Sequence, residues 1–178
     1  LCHRPYLRYD SIANSVMEAV ESRFYQPNLG YYSAFVYGYP NPIQLQATDN
    51  MAQMIGIVHR LVNDKTAARI VKSAPVSDVG IPTMFPMPGD YRNETEEVTR
   101  PVVQAYWNLA AAKVRDARAL TAGVAWLTRL ATFGPRRELT APGIVALVFR
   151  VLAGMEFEHN GIRFSPFVPQ SLPGTKRI

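Results

Sequence analysis

The densest group of ionisable side chains is Asp90-Tyr91-Arg92-Asn93-Glu94-Thr95-Glu96-Glu97, followed closely by Arg100. Carboxyls crowded beside arginines are the ingredients of acid/base chemistry. A neighbouring cation holds one carboxylate ionised while a second keeps its proton. The plainer reading of Glu96 and Glu97 is an acidic first turn that complements the dipole of the next helix. Asp49 is a further carboxyl, placed at the expected start of a helix, where an N-cap is the plainer reading. Glu138 stands beside Arg136 and Arg137 and reads first as a surface residue.

Other chemistries find little support. His59 and His159 belong to no Ser-His-Asp spacing, and Gly80, Gly89 and Gly123 are isolated, so there is no phosphate-binding loop. Three histidines and one cysteine, Cys2, argue against a structural zinc site and exclude an internal disulfide. No metal and no cofactor is expected.

Helices must position these groups. Apolar spacing predicts helices over Asp10 to Phe24 (Ile12, Val16, Ala19, Val20, Phe24) and Thr48 to Val62 (Met51, Met54, Ile55, Val58, Leu61, Val62). Shorter or longer helices follow at Asp64 to Ser73, Val98 to Val114, Asp116 to Phe133 and Pro142 to Leu152. Between Gly30 and Tyr39, aromatic and branched residues predict extended or irregular chain. Pro75 to Glu97 holds Pro75, Pro82, Pro86 and Pro88, so it reads as a long loop. Met155 to Val168 reads as a β-hairpin turning at His159-Asn160-Gly161. The fold class expected is mainly α, with antiparallel helical hairpins and a short β-hairpin near the C-terminus.

The 178 residues, 48% hydrophobic and 19% charged, read as one domain with one core. No apolar stretch approaches the roughly 20 residues that span a bilayer, so no membrane partner is expected. The net charge is +5, but the basic residues are dispersed, with Arg136-Arg137 and Lys176-Arg177 as the adjacent pairs. Without a basic run or an aromatic-interleaved motif, a nucleic-acid partner is not expected.

Four blocks carry a resemblance. They are Phe24-Tyr25-Gln26-Pro27-Asn28-Leu29-Gly30-Tyr31-Tyr32, Ala74-Pro75-Val76-Ser77-Asp78-Val79-Gly80-Ile81-Pro82, Pro101-Val102-Val103-Gln104-Ala105-Tyr106-Trp107-Asn108-Leu109-Ala110-Ala111-Ala112-Lys113, and Gly154-Met155-Glu156-Phe157-Glu158 through Pro169. In this order they resemble segments of six-hairpin glycosidases, bacterial enzymes related to α-L-rhamnosidases and glycogen-debranching-type enzymes. The resemblance implies an (α/α) toroid. Six expected helices are half of that family's twelve, so the chain corresponds to the C-terminal half of the barrel.

The resemblance also implies glycoside hydrolysis of an oligo- or polysaccharide by two carboxyls. An inverting mechanism is expected, with the carboxyls roughly 6.5–9.5 Å apart. The candidate catalytic residues are Asp90, Glu94, Glu96, Glu97 and Asp49. Aromatic faces and polar groups that suit a sugar are Tyr31, Tyr32, Tyr91, Arg92, Arg100, Gln104 and Trp107. Family members carry a longer connection, with a catalytic carboxylate, where this chain runs from Thr132-Phe133-Gly134 straight to Arg136-Arg137-Glu138. Glu138 would have to stand in for that group. The alternative expectation is therefore a non-catalytic carbohydrate-binding or interaction module of the same fold. A half barrel implies a further partner, another subunit or the missing half. By resemblance alone, a periplasmic or extracellular location is expected.

Overall fold

The computed structural model describes residues 7–76, 80–86, 100–133 and 140–172. Helix α1 (Leu7–Phe24) leads into four two-residue strands. These form two small antiparallel ladders, β1 (Tyr25–Gln26) with β2 (Tyr31–Tyr32), and β3 (Val36–Tyr37) with β4 (Ile43–Gln44). Strand β5 (Thr48–Asp49) runs directly into α2 (Asn50–Val58), and α3 (Asp64–Ser73) follows. Strand β6 (Met84–Phe85) returns to pair with β5, setting Asp49 opposite Met84. Then come α4 (Pro101–Lys113), α5 (Ala117–Phe133) and α6 (Ala141–Ala146), the last widening into a π-helical turn over Leu147–Leu152. The hairpin β7 (Met155–Glu158) and β8 (Gly161–Phe164) closes the described chain. The expected mainly α class, with small antiparallel hairpins, is what the described residues show.

Helix α4 is the centre of the packing. Val103, Gln104, Trp107, Asn108, Ala110 and Ala111 are all buried, and they cover more than one face of the helix. A helix apolar on several faces belongs inside a core. The alanines let α2, α5 and α6 approach closely. Around Trp107 pack Met54 and Ile57 of α2, Ile70 and Val71 of α3, Ile81, Leu120 and Leu127 of α5, and Leu147 and Val151 beyond α6. By contrast, Ile12 and Val16 of α1 are about half exposed, and only Val20 and Phe24 of its expected stripe reach the core.

Direction follows from hydrogen bonds and shared surfaces. Asn50 N–H donates to the Thr83 carbonyl (2.9 Å), and the Asn50 side-chain amide donates to the Pro82 carbonyl (2.8 Å). Ile81 N–H donates to Gln104 Oε1 (3.1 Å). The segment around Ile81 thus ties the start of α2 to the first turns of α4. At the other end, Val58, Arg60, Lys113, Arg115, Arg150 and Val151 line one cavity. Helices α2, α4 and α6 therefore run side by side in the same direction, while α3 and α5 return the chain between them.

Helix boundaries have local causes. Asn63 caps α3 by accepting from Thr66 N–H (2.9 Å), and α3 spans the expected residues. Helix α2 stops four residues short of expectation. Arg60 takes a left-handed conformation (φ 59°), Leu61 N–H bonds back to the Gly56 carbonyl (2.8 Å), and Arg60 N–H bonds to that of Ile57 (3.1 Å). This is a Schellman termination. Helix α4 ends in the same way at Arg115 (φ 56°), where Asp116 N–H reaches the Ala111 carbonyl (2.9 Å).

Candidate functional site

The N-terminal ends of α2, α4 and α6 form the candidate site. Asp49 is the N-cap of α2: its Oδ1 accepts from Ala52 N–H at 3.1 Å, and the residue is half-buried. The N-cap reading is realised, and it leaves Oδ2 without a hydrogen bond among the described residues. Arg100 is exposed at the N-cap of α4, and buried Thr140 precedes α6. The acidic group Asp90, Glu94, Glu96 and Glu97, with Tyr91 and Arg92, lies outside the described residues, as does Glu138. In sequence it falls between β6, which pairs with β5 at Asp49, and Arg100. Both of its described flanks are thus at the same end of the helix row.

A hairpin rich in aromatic residues leads into this end. Ala34 N–H donates to the Ala47 carbonyl (2.7 Å), two residues before Asp49. Beyond that bond Phe35, just before β3, and Tyr37 of β3 have ring centroids 6.1 Å apart. Both rings are about half exposed, and Tyr39 at the tip is 99% exposed. Flat apolar rings presented to solvent suit the C–H faces of a sugar.

The remaining sequence candidates divide between scaffold and surface. Tyr32 is buried, and its hydroxyl donates to Glu21 Oε2 at 2.5 Å. Burial first, then this bond and the negative charge of Glu21, raises its pKa far above the usual phenol range. Its ring stacks at a tilt on Tyr25, with centroids 5.1 Å apart. Tyr31 is half-buried, and burial raises its pKa. Gln104 is spent inside the core: its Oε1 receives Ile81 N–H and its Nε2 donates to Asn108 Oδ1 (3.1 Å). Trp107 is fully buried, so it packs the core rather than offering a face to a ligand. Its neighbour Tyr106 takes the half-buried position.

Sequence reasoning missed Gln53. This buried side chain accepts Tyr32 N–H through Oε1 (3.2 Å) and donates through Nε2 to Thr48 Oγ1. It joins β2, β5 and α2, which sets the backbone that carries Asp49. Among the described residues, three buried polar side-chain atoms lack a partner: Asn50 Oδ1, Thr83 Oγ1 and Trp107 Nε1. Asn50 and Thr83 adjoin Asp49 and β6, so unspent hydrogen-bonding capacity sits directly beneath the candidate site.

Among the described residues no group of His, Cys, Asp and Glu side chains is arranged to hold a metal ion. No helix among them is long and apolar enough to cross a membrane. Comparisons with protein-family models, with curated proteins and with solved structures find no match to this chain.

Proposed function

We propose that this chain is the C-terminal half of an (α/α) toroid of the six-hairpin glycosidase type, acting on an oligo- or polysaccharide with inversion. The observation that carries the reading is the gathering of Asp49, Arg100 and both flanks of the Asp90 to Glu97 segment at one end of three parallel helices, beside an exposed aromatic hairpin. Parallel helices alternating with returning ones are the repeating unit of such a toroid. In this reading one carboxyl of the Asp90, Glu94, Glu96 and Glu97 group protonates the leaving oxygen. Asp49 or a second member of that group activates water as the base. Tyr31, Tyr91 and Arg92 hold the sugar, with Arg100 at the rim. The enzyme would work in the periplasm or outside the cell.

The open edges fit this reading. A largely apolar cavity of about 400 Å³ lies between α1 and α2, lined by Val16, Val20 and Phe24, with Asp49 at its rim. Val145, Val148 and Phe149 are exposed beyond α5. Further helical hairpins, or another subunit, would bury both.

The test is release of reducing sugar from a panel of oligosaccharides by the wild type, Glu94→Gln and Asp49→Asn. The expected loss is about 10²- to 10⁴-fold for a general acid or base. Equal release by all three proteins would overturn these catalytic assignments. A second reading, a non-catalytic carbohydrate-binding module, is favoured by the exposed Phe35, Tyr37 and Tyr39. Saturable oligosaccharide binding without any release would assign it.

A further inference from the structure

The opposite end of the helix row holds a cavity of about 180 Å³ with a different chemistry. Arg60, Lys113, Arg115, Arg150 and Arg163 line it, against a single lining carboxylate, Glu156. That carboxylate is already occupied. Lys113 Nζ bonds its Oε1 at 2.9 Å, and Arg163 Nη2 bonds its Oε2. These bonds, Lys113 foremost, hold the Glu156 pKa below the usual carboxylate range. Arg163 also pairs with Glu158 (2.5 Å). The Arg60 charge is also felt at Glu156, but neither it nor Arg115 nor Arg150 comes within ion-pair distance of a carboxylate among the described residues.

The bland explanation is that cations complement helix C-termini. Three helices end here, each contributing roughly half a negative charge, and the cavity still keeps a surplus of about two positive charges. Two further facts point past a solvated basic face. Arg60 and Arg115 both occupy the left-handed C-terminal position that suits glycine, and they do so at equivalent places after α2 and α4. The Arg115 guanidinium lies over the Phe167 ring, 5.0 Å from its centroid. Stacking holds the fork in place and leaves its in-plane N–H groups free to donate.

We propose that this cavity binds a tetrahedral oxyanion, phosphate or sulfate, free or as a sugar ester, through Arg60, Arg115 and Arg150. The volume admits one such group, and the uncompensated charge matches a dianion. Guanidinium forks suit its oxygens. The site is separate from Asp49 at the other end of the helices, and its test reads binding, not hydrolysis.

The experiment is titration of the full chain with inorganic phosphate, inorganic sulfate and glucose 6-phosphate. Ionic strength is held constant with chloride, and binding is read by calorimetry and by melting temperature. Saturable binding is expected, weakened at least tenfold by Arg60→Gly and by Arg150→Gln. Arg60→Gly removes a strained conformation, so it should melt no lower than the wild type while losing the anion. At least tenfold tighter binding of glucose 6-phosphate than of phosphate would assign a sugar ester, and comparable affinities the free ion. Binding unchanged in both variants, or equal stabilisation by chloride alone, would overturn the proposal.

Discussion

The two ends of the α2, α4 and α6 row are built on opposite rules. At the N-terminal end a carboxylate, Asp49, satisfies a helix N–H, and the neighbouring β5–β6 ladder and Gln53 fix the chain with neutral hydrogen bonds. At the C-terminal end arginines sit at the terminations themselves, and charged pairs with Glu156 fix the chain. Helix dipoles favour this sorting of acids and bases. The difference shows that the dipole accounts for the N-cap bond of Asp49, but neither for Arg100 at the start of α4 nor for all of the basic cluster.

The sharpest test of this contrast is backbone fit at the basic end. Gly154 has φ 60°, and a Cβ there would come within 2.0 Å of the Ser165 carbonyl oxygen. Gly154→Ala is expected to cost about 3 kcal/mol in denaturant unfolding. A cost under about 1 kcal/mol would mean that the β7–β8 hairpin docks loosely. At the acidic end the corresponding element is Gln53. Truncation to Ala leaves the Tyr32 N–H and the Thr48 hydroxyl unpaired, with an expected loss of about 2 kcal/mol in the same measurement. Asp49→Ala removes only an N-cap bond and should cost about 1 kcal/mol.

The smallest effect separates the ends by pH. Because the folded-state pKa of Glu156 lies below its ordinary value of 4.5, its contribution is complete above that value and is lost as pH falls through the lowered one. Melting temperatures of wild type and Glu156→Gln should converge as pH falls from 4.5 through that lowered value, since both then lack the carboxylate charge. A gap that persists there would assign Glu156 a packing role.

Much of the helix pattern was legible because its signals are local. Asn63 and Asp64 announce α3, and Asn160-Gly161 announces the last hairpin. The end of α2 was not legible, since the residue in the left-handed position is Arg60, where glycine is the usual sign. The β5–β6 pairing was invisible for another reason: two residues pair with two others some 35 positions away, and nothing in either dipeptide encodes the partner. Trp107 reads as a ligand face in the sequence. Only the packing of α2 and α5 around α4 decides that Trp107 is enclosed. Of the proposed carboxylates, Asp49 alone falls among the described residues, where its N-cap bond leaves one oxygen for chemistry.

The π-helical turn at Leu147–Leu152 carries a consequence for length variation. Ala153 N–H reaches back five residues to the Val148 carbonyl (3.1 Å), so the turn holds one residue more than an α-helix would. That extra residue is absorbed within nearly the rotation that an α-helical turn covers, so removing a single residue there should restore regular winding and leave the downstream chain facing the same way. Glu156 would stay beside Lys113, and Phe167 beneath Arg115. The basic cavity therefore tolerates a change of residue count at this one turn: chains with a one-residue deletion here should keep both the helix row and the cavity, whereas a deletion within Ala141–Ala146 should turn the downstream chain by about 100° and lose the cavity.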